Sequence, residues 1–221
     1  MANIASRRIQ REYLEFVRSE EISAYGIQLG LVGDDFTELE GTIEGPPDTP
    51  YEGGTYKLEI KIPDTYPFNP PKVRFLTKIW HPNVCSVTGA ICLVLEDQWA
   101  AAMTLRTVLL SLQLLMADPE PDEPQATVVG WQYSDNHSMF QKTARHWAAA
   151  FAGAKHKFVE FESALKKLAD MGVEEHAARV ALSSCDWEVT KATERLFSLE
   201  YGSEIGTPRV KNMEEELDEA E

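Results

Sequence analysis

Between Met1 and Arg18, the apolar residues Ile4, Ile9, Tyr13, Phe16 and Val17 recur at helical spacing with charges between them, which predicts an amphipathic helix. The period then drops to two. Ile27, Leu29 and Leu31 alternate, and Phe36 to Glu44 reads as a second, less regular strand. Tyr56-Lys57-Leu58-Glu59-Ile60-Lys61-Ile62 alternates strictly, as a half-buried antiparallel strand does. Val73 and Phe75 mark a fourth strand, and Gly45-Pro46-Pro47, Glu52-Gly53-Gly54 and Pro67 to Pro71 supply the breaks. Four successive strands with short links predict an antiparallel meander, and helices on either side of it in sequence make the fold class α+β.

Outside that fourth strand, Asp64 to Gln98 is irregular and rich in aromatic residues. A loop of that length in a compact domain is often functional. Thr104 is a plausible N-cap for the apolar run Leu105 to Met116, which the segment Asp118-Pro119-Glu120-Pro121-Asp122-Glu123-Pro124 ends. A further helix fits Ser138 to Phe151, with Phe140, Ala144, Trp147, Ala148 and Phe151 on one side. Gly153 to Lys157 reads as a linker. Beyond it come three brief helical stretches, Phe158 to Asp170, Glu174 to Ser183 and Trp187 to Phe197, the last with Asp186 as its cap. The chain therefore divides into a domain over 1–153, a small three-helix domain over 158–198, and an acidic tail over 202–221 with little to bury, expected to be disordered.

Composition narrows the classes. The chain has 221 residues, 43% hydrophobic and 26% charged, an ordinary globular balance. No apolar run approaches the roughly 20 residues of a membrane span, so no membrane partner is expected. The first residues carry scattered charges and no apolar block, unlike a secretory signal. A net charge of −15 argues against nucleic acid, whose phosphates need clustered Lys and Arg. Against this background Arg7, Arg8, Arg11 and Arg18 make the first helix basic, either as a docking face for an acidic partner or as a solvated face. The cysteines, Cys85, Cys92 and Cys185, are odd in number, which suits free thiols in a reducing compartment. The cytoplasm is the expected location, with the nucleus second.

On chemistry alone Cys92 is ambiguous. It sits in Gly89-Ala90-Ile91-Cys92-Leu93-Val94, where a cysteine can simply be a small hydrophobe. A papain-like hydrolase would need a His base, for which His81, His137, His146, His156 and His176 are the candidates, and spacing does not choose among them. The surrounding residues are more specific. Tyr66-Pro67-Phe68-Asn69-Pro70-Pro71, Trp80-His81-Pro82-Asn83, Gly89-Ala90-Ile91-Cys92-Leu93 and Trp99, in this order and spacing, resemble the catalytic core of the ubiquitin-conjugating enzymes. The resemblance runs from Ala2 to about Gly153, including Gly45 to Gly54, and continues into a class of the family that ends in a ubiquitin-associated domain.

That resemblance implies an enzyme that takes ubiquitin from the activating enzyme as a thioester on Cys92 and transfers it to a lysine of a protein substrate. It implies no cofactor bound for the chemistry, because ATP is consumed upstream by the activating enzyme. Asn83 matches a family residue that either stabilises the developing oxyanion or braces the loop. His81, with Pro82 and Trp99, matches structural positions, and Glu123 matches an acid that orients the incoming lysine, unless it is a solvated turn residue. Phe68 and Ala100-Ala101-Ala102 match loops that contact ubiquitin ligases, RING-type ones being expected. Arg7, Arg8 and Arg11 match the activating-enzyme surface, and Pro67 matches a cis proline. Relatives usually carry Asn or Asp where Val94 stands and one more residue between Cys92 and Trp99, and Cys85 stands where close relatives carry Ser.

In the small domain, Leu165, Leu168, Ala177, Val180, Ala181, Ala192 and Leu196 are the core that the resemblance implies. Met171-Gly172-Val173 with Leu196 and Phe197 make its ubiquitin-binding patch, and the alternative is a packing module. Ubiquitin binding there would favour chain extension. The competing readings are a catalytically silent variant that only holds ubiquitin, an enzyme for another ubiquitin-like modifier, and a cysteine hydrolase.

Overall fold

In the computed structural model, residues 2–33, 35–91, 99–121 and 127–204 are described. The strictly alternating segment becomes β3 (Thr55–Lys61), an inner strand of a four-stranded antiparallel sheet. Its neighbours are β1 (Ile27–Val32), β2 (Asp35–Glu44) and β4 (Lys72–Phe75), in the order β1-β2-β3-β4. Register pairs Ile27 with Ile43, Leu39 with Ile60, and Leu58 with Phe75. All six are buried, so one sheet face is apolar throughout. The period of two requires this, since a slip by one residue would turn every one of them to the other face.

Helix α1 (Ala2–Val17) precedes the sheet and α2 (Glu20–Ala24) leads into it. Helix α3 (Leu105–Ala117) packs across the apolar face. A Cβ on Gly41 would meet Ile60 Cδ1 at 3.2 Å and Leu109 Cδ2 at 3.4 Å. Thr104 caps α3 in a reciprocal box with Thr107. Helices α4 (Thr127–Asp135) and α5 (His137–Phe151) follow. On α5, Phe140, Ala144, Trp147 and Ala148 are buried.

The chain divides into two compact units, Met1–Lys157 and Phe158–Glu221. The second contains α6 (Val159–Asp170), α7 (Glu175–Ser184) and α8 (Val189–Glu204). Its centre is Phe161 stacked on Trp187, with ring centroids 3.9 Å apart and planes 2° from parallel. No described helix is long and apolar enough to cross a membrane.

Five sequence expectations need correction. The buried stripe of α1 is Ala5, Ile9, Glu12 and Phe16, whereas Val17 is 56% exposed. Helix α2 was not expected, although Ser19 accepts the Ile22 N–H and Glu20 and Glu21 fill its first turn, an ordinary start signal. Helix α4 was not expected either, because its buried residues include Gly130 and Gln132 while Trp131 is 65% exposed, which hides the apolar period. The last helix begins at Val189, so Glu188 and not Asp186 stands in the cap position; Asp186 and Trp187 take left-handed φ of 50° and 63° instead. Ala177 is exposed, because α7 turns Ala178, Ala181 and Leu182 inward. Val180 and Leu196 are half-buried, and Phe161 and Trp187 join the core. Of the segment 202–221, residues 202–204 belong to α8 and the remainder lies outside the described residues.

Candidate active site

Beyond β4 the chain leaves the sheet, and residues 76–91 form a loop whose backbone must find partners outside a ladder. Ile79, Trp80, His81, Asn83 and Val84 are all at most 2% exposed, and Pro82 is buried with them. Trp80 Nε1 donates to Gln132 Oε1 on α4 at 2.8 Å, and the Tyr51 hydroxyl donates to the Trp80 carbonyl at 2.9 Å. Burial holds the Tyr51 hydroxyl protonated, far above its ordinary pKa.

His81 Nδ1 accepts the Asn83 N–H at 3.0 Å, so its proton sits on Nε2, which donates to the Leu115 carbonyl of α3 at 3.0 Å. Burial lowers its pKa to about 4, against a smaller opposing effect of the Leu115 bond. With both nitrogens engaged and the ring held neutral, His81 anchors the loop and does not act as a general base. The Asn83 carboxamide reaches across to the segment after α3. Nδ2 donates to the Glu120 carbonyl at 2.7 Å and Oδ1 accepts the Glu120 N–H at 2.9 Å, the pairing that a strand neighbour would make.

The second half of the loop folds back. Val84 bridges Ile91, and Arg74 bridges Ala90. Gly89, with φ of +76°, lies so close to Phe75 that a Cβ would overlap its carbonyl. Phe75 N–H donates to the Gly89 carbonyl at 2.9 Å. Cys92 and Val94 lie outside the described residues, as does Glu123; the structure describes Ile91 and Trp99 on either side of the first segment and Pro121 and Thr127 on either side of the second. Cys85 is half-buried. Burial opposes its ionisation, yet the Thr88 hydroxyl and the Thr88 and Val87 backbone N–H groups aimed at its sulfur outweigh that, and its pKa lies below an ordinary thiol's.

The structure brings Phe68 and Ala100–Ala102 into neighbouring loops. The Tyr66–Pro67 bond is cis, Trp99 Nε1 donates to the Pro67 carbonyl at 2.8 Å, and the Tyr66 and Trp99 rings lie 5.9 Å apart. Phe68 is 79% exposed, and Ala100, Ala101 and Ala102, which follow Trp99, are exposed as well. Of the arginines, Arg7 and Arg11 are exposed, Arg11 facing Glu15 at 3.7 Å. Arg8 turns inward instead, its Nε donating to Glu12 and its Nη2 to the Met103 carbonyl. In the second unit Met171 and Phe197 are each 51% exposed, Gly172 turns the chain with φ of +87°, and Val173 and Leu196 are half-buried.

The sheet, the clamped loop and the two surface loops define a member of a known family: residues 8–148 match the family model "Ubiquitin-conjugating enzyme", and the chain belongs to that family. It is a ubiquitin-conjugating enzyme. It is 62% identical over 199 residues to ubiquitin-conjugating enzyme E2 K of Homo sapiens, and 60% over 199 residues to ubiquitin-conjugating enzyme E2-22 kDa of Drosophila melanogaster. Each comparison covers 90% of this chain and 100% of the relative. Among solved structures, the E2 domain of a Toxoplasma gondii ubiquitin conjugating enzyme matches with a TM-score of 0.60 at 45% identity, covering 66% of this chain and 97% of that one.

Proposed function

We propose that the enzyme carries ubiquitin as a thioester on Cys92 and passes it to lysine amines, extending polyubiquitin chains. The observation that carries this reading is the buried clamp of His81 and Asn83, which fixes the loop leading to Ile91 through four hydrogen bonds. The Cys92 thiolate attacks the carbonyl of the thioester that joins ubiquitin to the activating enzyme, and the activating enzyme's thiolate leaves. A lysine amine then attacks the new thioester, the amine's proton goes to solvent or to a carboxylate such as that of Glu123, and the Cys92 thiolate leaves as the isopeptide bond forms. ATP is used upstream by the activating enzyme, and no bound cofactor enters either step.

Arg7 and Arg11 supply the activating-enzyme surface, and Phe68 with Ala100–Ala102 the ligase surface, RING-type ligases being the best fit. The second unit is read as a ubiquitin-associated domain whose Met171-Gly172-Val173 turn, with Leu196 and Phe197, takes ubiquitin. A tethered site of this kind raises the local concentration of an acceptor chain. The product would mark proteins for degradation, in the cytoplasm and the nucleus.

A thioester gel tests the reading. With ubiquitin, activating enzyme and ATP, a thiol-sensitive adduct should form, vanish in Cys92→Ala, and persist in Cys85→Ala and Cys185→Ala. An adduct that survives in Cys92→Ala and is lost in Cys85→Ala would move the nucleophile to the other thiol.

A further inference from the structure

Glu12 is a carboxylate in the middle of an apolar stripe. It lies between Ile9 and Phe16 on the inner side of α1 and is 5% exposed. A charge so placed is costly unless it is paired and hydrogen-bonded. Oε1 accepts Arg8 Nε at 2.7 Å. Oε2 accepts the Tyr66 hydroxyl at 2.8 Å and the N–H of Leu105, the first residue of α3, at 3.0 Å. Arg8 Nη2 donates onward to the Met103 carbonyl at 2.9 Å, and its guanidinium carbon lies 5.5 Å from the Tyr66 ring centre.

These partners are the roots of the two exposed loops. Tyr66 stands two residues before Phe68, and Met103 follows directly on Ala100–Ala102. The Trp99–Pro67 bond ties the loops together on one side and the Glu12 carboxylate ties them to α1 on the other.

We infer that Glu12 is a positioning residue for ligase-stimulated transfer: one carboxylate sets the separation of the loops bearing Phe68 and Ala100–Ala102. The inference rests on the reading of those loops as the ligase surface. The charge matters because both oxygens of Glu12 accept, from Arg8 Nε on one side and from the Tyr66 hydroxyl and the Leu105 N–H on the other. A glutamine has one oxygen. With that oxygen toward Tyr66 and Leu105, its NH2 faces the Arg8 guanidinium and frees Met103. With the oxygen toward Arg8, its NH2 faces the Leu105 N–H. Either way one loop loses its tether. A docking surface assembled for a fraction of the time binds more weakly by that fraction.

The test compares wild type, Glu12→Gln, Tyr66→Phe and Phe68→Ala. A panel of isolated RING-type ligase domains is screened, and the one that most stimulates wild-type discharge to free lysine is titrated. For Glu12→Gln, charging by the activating enzyme and unstimulated discharge should stay within about twofold of wild type, since neither uses the loops. The ligase concentration at half-maximal stimulation should rise about tenfold with the plateau kept, as expected for loss of a bond to a charged group. Tyr66→Phe, which removes one hydroxyl and keeps the ring, should give a smaller rise of the same kind, and it decides alone if Glu12→Gln does not fold.

A Phe68→Ala defect with normal half-saturation in both other variants would overturn the role of Glu12. So would an equal fall of charging, unstimulated discharge and plateau in those two variants, which is the mark of general damage. Normal half-saturation in Phe68→Ala would overturn the ligase-surface reading itself, and the inference with it.

Discussion

Replacing Asn83 with Ala separates the two roles its carboxamide could have. The side chain makes two hydrogen bonds, both to Glu120, at 2.7 and 2.9 Å. Each is worth about 1 kcal/mol net, and an orphaned buried partner adds about 1–3 kcal/mol. Glu120 is exposed as a residue, so water can reach its backbone groups once Asn83 is shortened. The cost should then fall at the low end, about 1–2 kcal/mol, confined to the segment after α3. That energy corresponds to about 5- to 30-fold faster hydrogen exchange at the Glu120 N–H. Charging and lysine discharge, measured on the same variant, report the second role. A pure brace slows both steps together, because both use the same loop. Both steps put charge on a thioester oxygen, but loss of an oxyanion donor slows a step only where chemistry limits it. Discharge to free lysine should therefore fall about a hundredfold and charging, limited by encounter with the activating enzyme, by much less. Unchanged Glu120 exchange in Asn83→Ala would refute the clamp, whatever the kinetics.

The neutral, buried His81 makes stability depend on pH. Its folded pKa, lowered to about 4, lies below the unfolded value near 6.5, so the unfolded chain binds the extra proton. The contribution is complete above about pH 6.5 and falls away toward pH 4, by up to about 3 kcal/mol, and denaturant melts across that window should show the slope in wild type and a flatter one in His81→Asn. Tyr56 offers the opposite case: its hydroxyl is buried with no hydrogen-bond partner among the described residues, and its pKa is raised by that burial. Tyr56→Phe should therefore leave stability unchanged or raise it by up to about 1 kcal/mol, and a loss of more than 1 kcal/mol on thermal or chemical denaturation would show that the hydroxyl has a partner after all.

The parts of the fold legible in sequence are those where local preference and tertiary burial agree. Tyr56 to Ile62 alternates because β3 is covered on one face only, and Thr104 reads as a cap because its hydroxyl meets the Thr107 N–H. Where a buried position is polar, the pattern fails. Glu12 holds a core position of α1, and Gln132 holds one on α4 because Trp80 needs an acceptor. Both are written in the sequence as charge or polarity, and no local rule separates them from solvated residues. The motif around His81 and Asn83 was visible, but the partners that give those residues their work, Leu115 and Glu120, are backbone groups more than 30 positions away. No side-chain pattern announces a carbonyl.

The same fact explains the site's design. On the proposed function, large protein partners reach the segment after Ile91 in turn, so the loop leading to that segment is best held from its inner side. Rigidity has to come from beneath. Residues 76–91 leave the sheet, so their polar backbone needs partners that a ladder would have supplied. Gly89 docks on Phe75 and Cys85 pairs with Ala90 by backbone alone, and His81 and Asn83 add side chains aimed inward at α3 and at Glu120. His81 keeps the structural place that the resemblance implies, and its buried, neutral ring follows from that role: a charged ring could not accept the Asn83 N–H.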